Sequence, residues 1–171
     1  MLRYGMIYIL DAYNVIHKIR RLEAALNKDL RSSRDALVTL CAQFASSRGG
    51  VSEIILVFDG KSEFQDLSQA NPPKVRLIFS ETGEDADERI ITVLDQLSGE
   101  NNKCVVSDDN FVKNHARAYK TRSISVREFE ALVDTKNKQQ RNRGELSRND
   151  ALSPKTAAEI TSAYKKELGL S

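Results

Sequence analysis

The 171-residue chain carries 26 Lys and Arg against 24 Asp and Glu, a formal net charge of +2 and a pI near 8.5, with 40% hydrophobic and 29% charged residues. That balance suits one soluble domain with a sizeable core and an appended tail, and it is too mild to mark a polyanion binder by itself. No apolar run reaches the ~20 residues that a bilayer span needs, and the first apolar stretch is too short for a signal peptide and runs straight into Asp11, so a cytoplasmic protein is expected.

The first strand is expected in Met6-Ile7-Tyr8-Ile9-Leu10, an apolar run closed abruptly by Asp11, with Asn14 three residues later. Runs of this kind read as strands covered on both faces of a parallel sheet. Leu22, Leu26 and Leu30 then predict a helix beginning past Ile16, and Ser32 with Asp35 resembles a capping box that opens a helix through Leu37, Leu40, Cys41 and Phe44 to Gly49-Gly50. Glu53 to Phe58 forms the second strand, which ends in Asp59. Alternation of strand with helix is the mark of βαβ units. Lys61 to Lys74, with Asn71-Pro72-Pro73, is a long polar connection rather than a regular element.

Val75 to Phe79 forms the third strand. From Ala86, the residues Ile90, Ile91, Leu94 and Leu97 predict an amphipathic helix closed by Gly99. Asp87 precedes Ile91 by four positions and Leu94 by seven, so this carboxylate lies on the core-facing stripe, in the first turn. Asp85 and Glu88 fall at other angles and are expected to be solvated, while Glu84 is placed to join Asp87. Cys104 to Ser107 forms the fourth strand and runs into Asp108-Asp109-Asn110, any one of which can cap a helix from Phe111 to Tyr119. Along that helix Lys113, Arg117 and Lys120 recur as a basic stripe, a solvated face by default and a phosphate track beside an acidic site. A fifth strand at Ser123 to Ser125 and a capping box of Ser125 and Glu128 lead into a helix ending near Val133. The domain is expected to occupy residues 1–134. Residues 135–171 then hold a basic arm, Lys136 to Arg148, and a helix from Ser153-Pro154 to Leu168. Cys41 and Cys104 fall at apolar positions and read as buried thiols, and His17 and His115 lack metal-ligand spacing.

With no Ser-His or Cys-His pairing and no glycine-rich phosphate loop, the chemistry rests on Asp11, Asp59, Asp87 and Asp108. Three of these acids close apolar strands, and the carboxyl ends of parallel strands border the ligand crevice. Clustered carboxylates repel one another unless cations share their site, and hard oxygen donors select Mg²⁺ or Mn²⁺. A cation between carboxylates and a phosphodiester activates water and stabilises the departing oxygen, which is metal-dependent phosphodiester hydrolysis.

Asp11-Ala12-Tyr13-Asn14-Val15-Ile16, Val57-Phe58-Asp59-Gly60, Ala86-Asp87-Glu88-Arg89-Ile90 and Val105-Val106-Ser107-Asp108 resemble the NYN-domain nucleases of the PIN-like superfamily, from about Ile7 to Val133. The bacterial YacP-like subfamily fits best. The resemblance implies an α/β fold, a PIN-like three-layer α/β/α sandwich with a mainly parallel sheet of order 3-2-1-4-5. It also implies cleavage of RNA with Mg²⁺ or Mn²⁺, and its YacP-like members include a ribosome-associated endoribonuclease, so RNA and the ribosome are the implied partners. By motif position Asp11, Asp87 and Asp108 are the implied metal carboxylates, Asp59 a supporting acid and Asn14 an amide that orients substrate or supports the metal carboxylates. Ala12 stands where the family usually has glycine, and Asp85 where threonine is common. A haloacid dehalogenase-like phosphatase would need a second aspartate at Tyr13. The stronger alternative is a non-catalytic RNA- or ribosome-binding module that retains the fold.

Overall fold

The computed structural model describes residues 5–60 and 71–135. The chain divides into two compact units, Met1–Val133 and Asp134–Ser171, and every described strand belongs to the first. The basic arm from Lys136, the helix expected from Ser153 and most of the connection that begins at Lys61 lie outside the described residues.

Five strands, β1 (Met6–Asp11), β2 (Val51–Phe58), β3 (Val75–Phe79), β4 (Lys103–Val106) and β5 (Arg122–Ile124), form one sheet of order β3-β2-β1-β4-β5. Every pairing in it is parallel, as continuous apolar runs require when both faces must be covered. The helices are α1 (Ala12–Lys18), α2 (Arg20–Leu26), α3 (Leu30–Ser47), α4 (Ala86–Gln96), α5 (Asn110–Ala118) and α6, helical over 126–135. Side chains alternate across a strand, and here the alternation sorts the core into two halves. Tyr8, Leu10, Leu56, Phe58, Cys104 and Val106 pack against Leu37, Cys41 and Phe44 of α3 and Phe129 of α6. Ile7, Ile9, Ile55, Val57 and Val105 pack against Ile90, Val93 and Leu94 of α4 and Val112 and Ala116 of α5. The result is an α/β/α sandwich. Cys41 and Cys104 are buried free thiols, and no helix among the described residues is long and apolar enough to cross a membrane.

The helix starts differ from the sequence expectation, and capping explains why. α1 opens at Ala12, directly on the end of β1, because the Asp11 carboxylate accepts the Asn14 N–H at 3.3 Å. Ile19 then adopts an extended backbone and separates α1 from α2. α3 starts at Leu30 rather than beyond Ser32, since Asp29 takes both the Ser32 N–H (2.6 Å) and its hydroxyl (2.7 Å). The Ser125–Glu128 box is present, with Ser125 Oγ accepting the Glu128 N–H at 3.1 Å and Glu128 Oε2 accepting the Ser125 N–H at 2.7 Å. The helix it opens continues past Val133.

The chain builds outward from β1 to β2 and β3, then crosses back to lay β4 and β5 on the other side of β1. Strand order therefore reverses between β1 and β4, where outgoing connections diverge and leave a crevice at the carboxyl edge.

Candidate active site

Asp11 ends β1 at that reversal. It is 9% exposed, and its register partner Val57 lies two residues before Asp59. Burial pushes the Asp11 carboxyl up to about 6; the Asn14 N–H pulls against that shift, and the charges of Asp87, Asp109 and Asp59 reinforce it. Asp59 follows β2, where its Oδ1 accepts the Ser80 hydroxyl at 3.2 Å while Ser80 Oγ accepts the Gly60 N–H at 3.0 Å. Gly60 has φ +106, which glycine adopts without strain, so the chain can turn immediately behind this acid.

Asp87 sits in the first turn of α4. Its pKa is raised by burial first, then by Asp109, Asp85 and Asp59. Asp85 is the N-cap, accepting the Glu88 N–H at 2.8 Å while Glu88 Oε2 accepts the Asp85 N–H at 3.3 Å. Threonine and aspartate both cap helices, so an acid at this position keeps the helix start and adds a charge. Glu84 does not join Asp87; it faces Arg89 at 3.7 Å and accepts the Glu81 N–H at 3.0 Å, holding the loop before α4. Asp11, Asp59, Asp85 and Asp87 line one cavity of about 360 Å³ together with Tyr13, Asn14, His17 and Lys18 of α1.

The two acids after β4 part company. Asp108 accepts the Val126 N–H of α6 at 3.1 Å and pairs with Lys18 Nζ at 3.3 Å. Asp109 caps α5, accepting the Phe111 and Val112 N–H groups at 2.7 and 3.4 Å, and it is Asp109 whose charge reaches Asp11 and Asp87. Their different partners account for the split. Ile9 of β1 faces α4 and α5, and Asp11, two residues on in the same strand, follows it; Asp109 lies past the end of β4 and is held instead by capping α5, a helix of that side. Cys104 and Val106 face the other helices, and Asp108 is held on the α6 side by the Val126 N–H.

Asn14 Oδ1 is buried with no hydrogen-bond partner among the described residues, an open acceptor beside the acids. The basic stripe lies elsewhere. Lys113 of α5 is near enough to Glu128 to help lower its carboxyl, whereas Tyr119, the residue that ends α5, reaches Asp95 of α4 at 3.4 Å. At the amino edge of the sheet a second cavity of about 340 Å³ is lined by Tyr8, Arg48, Cys104, Arg122 and apolar neighbours.

Among the described residues no three His, Cys, Asp or Glu side chains form a ready-made metal group. The donor chemistry nevertheless fits Mg²⁺ or Mn²⁺. The donors are hard oxygens, burial and then like charge raise the Asp11 and Asp87 carboxyls, and an orphaned amide oxygen lines the same cavity.

A model of the YacP-like NYN domain matches residues 8–169, so the similarity extends well past Val133, where the motif resemblance ends. The fold is shared with the crystal structure of Rae1 (YacP) from Bacillus subtilis, at 25% identity and a TM-score of 0.66 over 94% of this chain and 92% of that one. A tryptophan-to-leucine mutant of the same Bacillus subtilis protein gives a TM-score of 0.67 at 25% identity over 86% and 85%. No curated protein sequence matches the chain significantly.

Proposed function

The chain belongs to the YacP-like NYN domain family, and on that premise we propose that it is a metal-dependent endoribonuclease that hydrolyses RNA phosphodiester bonds at the carboxyl edge of its sheet. The observation that carries this reading is the convergence of Asp11, Asp59 and Asp87, from three separate elements, on one cavity whose acids repel one another. Asp11 and Asp87 are the proposed holders of Mg²⁺ or Mn²⁺, with Asp59 in support; Asp108, which does not line the cavity but pairs with Lys18, which does, is the proposed third. Bound there, the cation would supply an activated water and neutralise charge on the phosphate.

The chain's own residues do the remaining work. Asp11 gives up the proton that its buried carboxyl otherwise retains near pH 6. Lys18 pairs with Asp108 and lines the same cavity, so its ammonium would be the chain's own donor to a substrate phosphate there. Asn14 Oδ1 accepts a hydrogen bond from substrate or water. Asp109 adds negative charge to the Asp11–Asp87 side and holds the start of α5. RNA in a cytoplasmic setting, including ribosome-associated mRNA, is the substrate class.

The Lys18–Asp108 pair is also what a non-catalytic RNA-binding module would keep, since it satisfies an acid without any metal. Incubation with mixed RNAs across a Mn²⁺ titration, with the new ends mapped, separates the two readings. Metal-dependent internal cuts are expected; RNA binding without cleavage at any metal concentration would favour the module. Exchanging Asp108 and Asp109 singly for Asn then tells which acid of the pair holds the cation.

A further inference from the structure

Phe111 is 49% exposed, one of only two large hydrophobic side chains left exposed among the described residues. It stands in the first turn of α5, and its N–H donates at 2.7 Å to Asp109, the carboxylate whose charge reaches Asp11 and Asp87. His115, one turn on, packs its ring beside Phe111 with centroids 4.3 Å apart and planes at 51°. That ring is pinned, since its Nδ1 lies 2.9 Å from the Phe111 carbonyl, an oxygen that only accepts, so Nδ1 carries the proton.

At about 100° per residue, Phe111 and His115 lie on the flank of α5 shared with Tyr119, whose hydroxyl reaches Asp95 of α4. This is the flank toward the helix that carries Asp87, not the one that carries Lys113. The half-exposed ring stands at the start of α5, next to the Asp109 carboxylate that is felt at Asp11 and Asp87, and apart from His115 no ring contact among the described residues covers it. It offers a π face, and its His115 neighbour stiffens it.

We infer that Phe111, buttressed by His115, is a stacking platform for an unpaired base of single-stranded RNA next to the bond held at the acid cavity. The inference rests on the proposed nuclease reading. It adds that the substrate must present a splayed base, because a base stacked within a duplex has no free face to offer. A ring face discriminates little among bases, so the platform sets strandedness and position rather than sequence.

The chain contains no tryptophan, so Phe111→Trp supplies a unique reporter that also preserves stacking. The probes are a short single-stranded RNA, the same strand annealed to its complement, and versions carrying one abasic ribonucleotide at successive positions. Phe111→Ala should weaken single-strand affinity and raise KM roughly 5- to 150-fold, with an unchanged thermal midpoint and unchanged duplex binding. Phe111→Trp should restore affinity, and its emission should be quenched by the single strand. One abasic position should reproduce the loss in the wild type and add nothing in the Ala variant. Wild-type affinity and KM in Phe111→Ala, or Trp emission unmoved at saturating RNA, would overturn the platform while leaving metal-dependent cleavage standing. A wild-type protein that binds no RNA would overturn both.

Discussion

The two edges of this sheet carry cavities of similar size and opposite chemistry. At the carboxyl edge about 360 Å³ is lined by Asp11, Asp59, Asp85 and Asp87, and at the amino edge about 340 Å³ is lined by Tyr8, Arg48 and Arg122. The difference follows from strand direction. A parallel sheet gathers helix N-termini at its carboxyl edge, where partial positive charge and free N–H groups favour acids, and helix C-termini at the other, where they favour cations. Asp11, Asp85 and Asp109 are N-caps, whereas Arg48 is the C-cap of α3, with its guanidinium 5.3 Å from the Phe44 ring centroid. Acids tolerated for capping at one edge thus become a concentrated charge open to chemical use, while the basic edge has a structural account complete in itself.

The comparison breaks most sharply at Asp87. Asp87→Asn should lower Mn²⁺-dependent cleavage by ~100-fold or more, while the thermal midpoint holds or rises, because the carboxyl it replaces is disfavoured by burial and like charge. Wild-type cleavage by this variant would remove the acid edge from the chemistry.

Asp11 tests the electrostatics without substrate. Its folded pKa, about 6 against an ordinary 3.8, is raised, so the folded state binds the extra proton and this group's contribution to stability is fully present below about pH 4 and lost as pH rises to about 6. Metal-free wild type should therefore be less stable at pH 7 than at pH 4.5 by this contribution. Asp11→Asn should abolish that dependence and gain about 1–3 kcal/mol at pH 7 in urea unfolding, since Asn keeps the α1 cap. Mn²⁺ should stabilise only the wild type. A loss of stability on substitution would mean that the carboxylate is structural.

The basic stripe sharpens the contrast from outside both cavities. Replacing Lys113, Arg117 and Lys120 with Ala should reduce the slope of log affinity for single-stranded RNA against log salt by about 2; an unchanged slope assigns the stripe to solvent. The smallest effect belongs to the amino edge. Arg48→Met should cost about 0.5–1 kcal/mol through the lost helix-end charge and ring contact, with cleavage unchanged. A comparable loss of cleavage would mean that the two edges are coupled.

Much of this was legible locally. An apolar run that stops at an acid is visible at Asp11 and Asp59, the core-facing stripe of α4 places Asp87, and the Ser125–Glu128 box formed as its spacing predicted. Where two nearby residues competed for one role, local spacing was insufficient. Ser32 was displaced as a cap by Asp29, an ionised and therefore stronger acceptor, which leaves Ser32 as the donor.

The sequence alone determines the element types, their alternation and an acid at the end of each inner strand, because those depend on periodicities of two and 3.6 that neighbouring residues set. Tertiary structure decided which acids share a field. Lys18 meets Asp108 only because β4 lies beside β1, which brings α1 over the end of β4. Asp109 faces Asp11 and Asp87 only because α4 and α5 cover the same side of the sheet. Arg34, 4% exposed, reads as a polar residue of an amphipathic helix, yet its guanidinium lies 5.1 and 5.4 Å from the ring centroids of Phe58 and Phe79, which pairing of β2 with β3 sets side by side. Contacts of this kind join residues tens of positions apart, and they exist only once packing of both sheet faces has chosen which strands are neighbours.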